Sequence, residues 1–409
     1  MKYQQNSKGF WQVTAAVSTA SLVTFFNLYL VQPLLPIFAQ SYAISPLAAS
    51  AMLSAAMLGM ALGLLFLASL SDAVGRRKIL LVSIAVVPCL SLFIGLAHPQ
   101  SFYAIIALRF LQGVCLAGVP AVAIAYLAEQ LDSRALIKAV GIFIAANSLG
   151  GIGGRLLGGW SADLLGSWQM AFIVVALLSL LMAMLVFVLL PQESAHTRQT
   201  WRLCSSLANY KRHLKNPQLV CAYLVGGVAF GVFINQFSYL TFILADAPYS
   251  LPASLTSLLF LSYLGGTFTA SSAGRIAQRY GSKLCILLGL LVMAVASALS
   301  LFEPLWMILL AMVVSSMGFF FSHAQASAWV NQHATKAKAS ASALYTISYY
   351  VGAAGGGVLM QPFYSAWGWQ GIVALSVTSL LVVGVIVGLV LKPSASAIPN
   401  STLKYVEPR

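Results

Sequence analysis

Three ionisable side chains stand inside long apolar stretches of this 409-residue chain, and each is of a type that apolar surroundings tolerate only for a reason. Arg109 opens the string Arg109-Phe110-Leu111-Gln112-Gly113, and Arg155 interrupts the glycine-rich run from Gly150 to Gly159. His323 closes Gly318-Phe319-Phe320-Phe321-Ser322-His323, with Ser315, Ser316, Gln325 and Ser327 nearby. A guanidinium keeps its charge and offers five N–H donors, so a buried one must hold carbonyls, a partner or an anion. An ordinary imidazole titrates near pH 6.5 and is able to carry a proton, although it also serves as a plain hydrogen-bonded packing group. Polar residues recur in two further apolar stretches, Asn27, Tyr29 and Gln32 in one, Asn235, Gln236 and Tyr239 in the other. They either face a polar cavity or bond neighbouring helices. A different chemistry marks Ala68-Ser69-Leu70-Ser71-Asp72-Ala73-Val74-Gly75-Arg76-Arg77-Lys78, where an acid, a turn glycine and three cations need water or specific partners.

The elements that position these groups follow from composition. Hydrophobic residues make up 60% of the chain and charged ones 7%, with a mean hydropathy of +0.90, against about 25% charged in ordinary soluble domains. Continuous apolar runs of about 20 residues, enough for a helix to cross about 30 Å of hydrocarbon, recur to Leu391 and lack the alternation of barrel strands. The chain is therefore expected to be an all-α membrane protein. Turn residues and charges cut it into twelve transmembrane helices, near 12–38, 47–70, 79–97, 102–127, 135–160, 169–190, 218–245, 253–276, 283–302, 305–330, 339–366 and 369–391. Pro99, Pro252 and Pro304 fall near helix starts, where a missing N–H costs little. Lys2 and Lys8 precede an apolar run without a cleavage pattern, so that run reads as an uncleaved first helix.

Charge topology tests this division. Of the 22 basic residues, Arg109 and Arg155 lie inside spans, and the remaining 20 all fall on the side that holds both ends of the chain. Asp163, Asp246 and Glu303 fall on the other. Lys and Arg accumulate in short cytoplasmic loops, so the expectation is a multi-pass membrane protein with both termini cytoplasmic. The net charge of +14 implies no nucleic-acid partner, since no water-soluble domain carries it. Cys89, Cys115, Cys204, Cys221 and Cys285 are scattered and odd in number, so neither a disulfide framework nor a metal site is expected. No His-Glu-x-x-His, paired aspartates or nucleophile–base set is present, which argues against an enzyme.

The longest connection, 191–217, divides the chain into an N-terminal bundle (1–190) and a C-terminal bundle (218–409) of six helices each. The bundles resemble one another. Gly274-Arg275-Ile276-Ala277-Gln278-Arg279-Tyr280-Gly281-Ser282-Lys283 repeats the Asp72 stretch, with Gly281 matching Gly75, and Ser167-Trp168-Gln169 is echoed by Gly368-Trp369-Gln370. Two like-oriented six-helix bundles related by an axis along the membrane normal form the architecture of one large transporter family.

The chain resembles a bacterial major facilitator superfamily transporter over essentially its whole length. The Asp72, Gly75, Arg76, Arg77 stretch matches the family's loop between spans two and three, with Ala68 in place of the first glycine. Arg109, Gln112 and Gly113 match its Arg-x-x-Gln-Gly pattern. Gly150, Gly154, Gly158 and Gly159 match a glycine pattern associated with exporters, with Arg155 where proline is expected. The strings at Gly318–His323 and Ser348-Tyr349-Tyr350-Val351-Gly352 are similar to those of YnfM-type inner-membrane transporters.

The resemblance implies several roles. Asp72, Gly75, Arg76 and Arg77, with the second copy at Gly274, Arg275 and Gly281, would form a latch closing the cytoplasmic side, although Gln278 stands where the second acid belongs. Arg109, Gln112, Arg155, His323, Asn27, Tyr29, Gln32, Asn235 and Gln236 would serve coupling or solute binding. Gly150, Gly154, Gly158 and Gly159 would pack closely on span eight or its neighbours. The implied activity is secondary transport of a small solute by alternating access, without a cofactor, driven by a proton gradient, in a monomer surrounded by the lipid bilayer of a bacterial inner membrane. None of the 8 acids lies mid-span, so the cavity is expected to be neutral to positive and to suit neutral or anionic compounds. Export is the preferred direction; uptake of a small organic anion and a non-transport sensor are the alternatives.

Overall fold

The computed structural model describes residues 2–96, 101–192 and 203–392. Pro99 and four of the 20 basic residues outside the spans, Arg198, Arg202, Lys404 and Arg409, lie outside the described residues. In the first half α1 is Lys8–Tyr42, α2 Pro46–Val74, α3 Arg76–Leu96, α4 Phe102–Gln130, α5 Ser133–Leu165 and α6 Trp168–Leu189. In the second half α7 is Pro217–Ala245, α8 Ala253–Tyr280, α9 Ser282–Leu299 and α10 Leu305–His333. Lys338–Val390 is helical throughout except at Gly368, whose φ of 56° and ψ of −138° divide it into α11 (338–367) and α12 (369–390). All twelve expected spans are thus present among the described residues, and a short linker helix, Leu203–Leu214, lies on the connection between halves.

Local signals explain the boundaries. Pro46 and Pro217 open their helices, where their fixed φ fits and no donor is wasted. Ser45 Oγ accepts from the Ala48 N–H at 3.2 Å and Asp132 Oδ1 from that of Ala135 at 2.8 Å, each capping donors left free at a helix start. The internal repeat is visible in the backbone itself. Gly75 (φ 103°, ψ 135°) and Gly281 (φ 82°, ψ 147°) turn the chain identically between helices. Their N–H groups bond Ser71 O at 2.9 Å and Ala277 O at 2.8 Å. A side chain is strained at such a positive φ, which is why glycine recurs at both places.

Within each half, α1 packs on α5 and α2 on α4, while α7 packs on α11 and α8 and α9 on α10. Of the α5 glycines expected against span eight or its neighbours, Gly150, Gly154 and Gly158 make the first of these contacts, with α1. A Cβ on Gly154 would lie 2.6 Å from Phe26 O, and one on Gly158 would lie 2.3 Å from Leu30 O, while Gly150 abuts Leu22 and Phe25, all of α1. Only Gly159 meets α8, at Ala253 O. Spacing by four defines a face without saying which helix covers it, and here α1 does. The second half repeats the device at an offset of 202, where Gly352 and Gly356 of α11 lie against Gly227 and Gly231 of α7.

Candidate functional site

Arg155 sits at the join of the two halves and is fully buried. It does not reach an aqueous interface. Its Nε donates to Gln32 Oε1 at 2.7 Å, Nη1 to Gly151 O at 2.7 Å and Nη2 to Tyr263 Oη at 3.3 Å. The guanidinium lies over the ring of Tyr29 at 3.9 Å, with Phe260 at 4.6 Å and Tyr263 at 4.8 Å from it. Such stacking stabilises a partly desolvated cation without supplying a counter-charge. Among the described residues no carboxylate pairs with it.

Gln32 holds this arrangement from the α1 side, because its Nε2 crosses to α7, donating to Ile234 O at 3.1 Å and Ser238 Oγ at 2.9 Å. The amide thereby joins the halves while aiming its oxygen at Arg155. Further toward the acidic ends of the helices, Trp160 Nε1 donates to Ser254 O at 3.2 Å and the Ser254 N–H donates to Asp163 Oδ2 at 2.7 Å. These bonds close that side of the molecule between α5 and α8.

Toward the basic ends a cavity of about 580 Å³ separates the halves, running from Arg155, Tyr29 and Tyr263 to Asn331 near the end of α10. Its walls differ. The first half contributes the rings of Phe25 and Tyr29 together with polar and small residues such as Asn147, Ser148, Gly151 and Arg155, whereas the second contributes mostly rings, among them Phe230, Phe233, Phe319, Phe320 and Tyr349. His323 lines the second wall, accepting from or donating to Tyr345 Oη through Nδ1 at 2.9 Å. No Asp or Glu is among the lining residues.

Of the nine residues expected at a solute or coupling site, Arg155, Tyr29 and His323 line the cavity and Gln32 supports it. The other five serve as ties between helices in this conformation. Arg109, fully buried, donates from Nε to Met52 O at 3.1 Å, from Nη1 to Asn27 O at 2.9 Å and to Gln112 Oε1, and from Nη2 to Leu28 O at 2.9 Å. Gln112 Nε2 continues to Ser91 Oγ at 2.6 Å and Val87 O at 3.2 Å, which joins α1, α2, α3 and α4. Asn27 bonds Ser179 and Ser91, Asn235 bonds Ala353 O, and Gln236 bonds Ser297. The aromatic wall escaped the sequence reading. The signal was available, since Phe230-x-x-Phe233 on α7 and Phe319-Phe320 on α10 set rings one turn apart or adjacent on facing helices.

The Asp72 stretch lies at the basic ends, away from the cavity. Arg76 pairs with Asp72 Oδ1 at 2.9 Å and with Glu129 at the end of α4, so the cation bridges two acids of its own half. Arg77 donates to Leu190 O at 3.3 Å, beside the end of α6. In the second copy Gly274, Arg275 and Arg279 are exposed.

Two like bundles meeting around a central cavity define a transporter of the secondary type. A family model described as the Major Facilitator Superfamily matches residues 17–271 and 248–404, and the chain belongs to that family. It is 34% identical over 380 residues to the inner membrane transport protein YnfM of Escherichia coli (strain K12), covering 93% of this chain and 90% of that protein. It is 32% identical over 373 residues to the uncharacterized MFS-type transporter YybF of Bacillus subtilis (strain 168), covering 91% and 92%. Among solved structures, a mutant of the nucleoside transporter NupG aligns with a TM-score of 0.72 at 15% identity, covering 93% of this chain and all 100% of that one. A bacterial homologue of the human lysosomal transporter Spinster, inward-facing and unoccupied, aligns with a TM-score of 0.72 at 15% identity, covering 94% and 97%. The chain is a multi-pass membrane transporter and not an enzyme.

Proposed function

We propose that this transporter is a proton-coupled exporter of neutral or anionic small solutes, working as a monomer by alternating access in a bacterial inner membrane. The observation that carries the reading is the cavity between the halves, which holds a buried arginine and a histidine and is lined by no carboxylate. A cationic solute would meet Arg155 with nothing to neutralise it. Both termini and the basic helix ends face the cytoplasm by the positive-inside rule, so the cavity in this conformation is open inward and the bonds around Gln32, Asp163 and Ser254 form the outer gate. His323 carries the coupling proton, because it is the one lining side chain whose ordinary titration falls near neutral pH. Uptake of an organic anion is the second reading, favoured by the unpaired charge of Arg155, and it differs only in direction.

Two measurements test this. In a cysteine-free background, Asn331→Cys in the cavity and Ser238→Cys at the outer gate should be labelled by a membrane-impermeant maleimide in opposite senses as the conformational equilibrium shifts. Labelling fixed under every condition would overturn alternating access. In proteoliposomes with an imposed pH gradient, solute flux should dissipate the gradient, and its direction separates export from uptake. His323→Gln should leave exchange of solute for solute within about twofold while abolishing the response to the gradient; a retained response removes His323 from the coupling role.

A further inference from the structure

The charge and the rings of the cavity are arranged as complementary halves of one recognition surface. Arg155 has five N–H groups, of which three are engaged, by Gln32, Gly151 and Tyr263. The Tyr29 hydroxyl is also within reach of the guanidinium, so at most two terminal donors are left for a ligand, and no carboxylate among the described residues offsets the charge. Residue 151, a glycine, lets the helix backbone lie close against the guanidinium and Tyr29. A Cβ there would come within 3.3 Å of Arg155 Nη1 and 3.6 Å of the Tyr29 ring.

Opposite this cation the lining of the second half is mostly aromatic. Tyr349 stacks on Phe230 with centroids 3.5 Å apart at 10°, and Phe319 stacks on Phe233 at 4.2 Å and 10°. Phe230 and Phe319 are themselves near-parallel, at 5.6 Å and 25°, so the four rings form one continuous wall. All four line the cavity. Stacked rings of this kind extend readily to one more planar ring, and favour it over an aliphatic group of the same size. Aromatic faces also attract cations, but here the faces of Tyr29 and Tyr263 are already occupied by Arg155, whose charge repels a second cation. One unpaired positive charge calls for one negative charge. The volume of about 580 Å³ lies within the range of about 300–1,000 Å³ that encloses small organic ligands.

We propose that the cavity takes a planar aromatic monocarboxylate, its carboxylate on the terminal nitrogens of Arg155 and its ring against the wall of Phe230, Phe233, Phe319 and Tyr349. This rests on the reading of the cavity as the solute site. The proton taken up at His323 stays separate from the carboxylate, which travels as the anion.

The test is calorimetric titration of the purified full-length protein with four probes: naphthalene-2-carboxylate, naphthalene-2-methanol, cyclohexanecarboxylate and naphthalen-2-ylmethylammonium. The naphthoate should bind at least tenfold more tightly than each of the others. Arg155→Lys keeps the charge but loses the paired donors, and should weaken the naphthoate severalfold while leaving the alcohol unchanged. Phe233→Leu should narrow the gap between naphthoate and cyclohexanecarboxylate. Equal binding of the alcohol, tighter binding of the ammonium probe, or no binding of the naphthoate overturns the proposal. Because the maleimide experiment reports alternating access without any solute, such a failure leaves the transport reading standing, whereas fixed labelling removes that reading itself.

Discussion

The two turns that join α2 to α3 and α8 to α9 have the same backbone and different chemistry. In the first, Arg77 reaches Leu190 O beside the end of α6; in the second, Lys283 reaches Gly388 O near the end of α12, at 2.7 Å. This tie from a turn cation to the last helix of its own half is kept in both copies. The ionic bridge is not, because Gln278 stands at the position of Asp72 and Ser282 at that of Arg76, and no acid ends α10 as Glu129 ends α4. What both copies keep is what any six-helix bundle needs to hold its ends together. What only one copy carries is a site of two acids around one arginine, for which a second cation or a helix N-terminus could compete, and the switching role proposed for it rests on that difference.

A similar division runs through the bundle interiors and predicts the largest effect. In the first half Arg109 satisfies carbonyls of α1 and α2 together with Gln112, whereas the second half relies on single amides such as Gln236. Arg109→Met should lower stability by about 3–5 kcal/mol, because it removes four buried hydrogen bonds from a charged donor that ties α1 and α2 to α4. Gln236→Leu should cost only about 1–2 kcal/mol. Thermal unfolding of the detergent-purified variants checks both, and equal losses would break the contrast between a charged and a neutral interior.

Asp72→Asn comes next. It weakens the bridge to Arg76 at the basic ends of the helices, remote from the cavity. Transport should fall severalfold, or the labelling of Asn331→Cys against Ser238→Cys should shift, with intrinsic solute affinity within about twofold of the parent. A large loss of affinity in the inward-open form would show that the bridge reaches the solute site after all.

The asymmetry also explains what the sequence made legible. Helix number, repeat and boundaries were readable because hydrocarbon thickness, basic loops and turn glycines constrain single residues: Gly75 and Gly281 announce themselves by type and spacing. The cavity was readable through Arg155, Tyr29 and His323, whose types are costly anywhere else. Arg109 has an equally costly side chain and yet is a tie. Cost of burial marks a residue as partnered, and whether the partner is a solute or a carbonyl depends on rotation about the helix axis, which one polar residue in an apolar span does not fix. For the same reason the spacing of Gly150, Gly154 and Gly158 leaves open which helix covers them, and α1 does. The ring wall was hidden by abundance, since phenylalanine in a membrane span is ordinary until the facing helix aligns it.

The retained tie should give smaller and symmetric effects. Arg77→Ala and Lys283→Ala should each cost about 1 kcal/mol or less, as expected for partly exposed charged donors to a carbonyl, with little change in flux. A strong transport defect from Lys283→Ala would move the second turn into the switching machinery.

The smallest expected effect is the most discriminating. Gln278→Asp restores an acid at the second copy without Arg76's counterpart and without a second acid at the end of α10, and the neighbouring Arg275 and Arg279 are solvent-exposed, where ion pairs are worth about 0–1 kcal/mol. Flux and labelling should therefore stay within experimental scatter of the parent. If the bridge at Asp72 works merely by having an acid beside a turn glycine and cations, this substitution should build a second working copy and alter the conformational equilibrium. An unchanged equilibrium here, together with a shifted one in Asp72→Asn, assigns the proposed switching to the full set of Asp72, Arg76 and Glu129, held together by α2, α3 and α4 of one half.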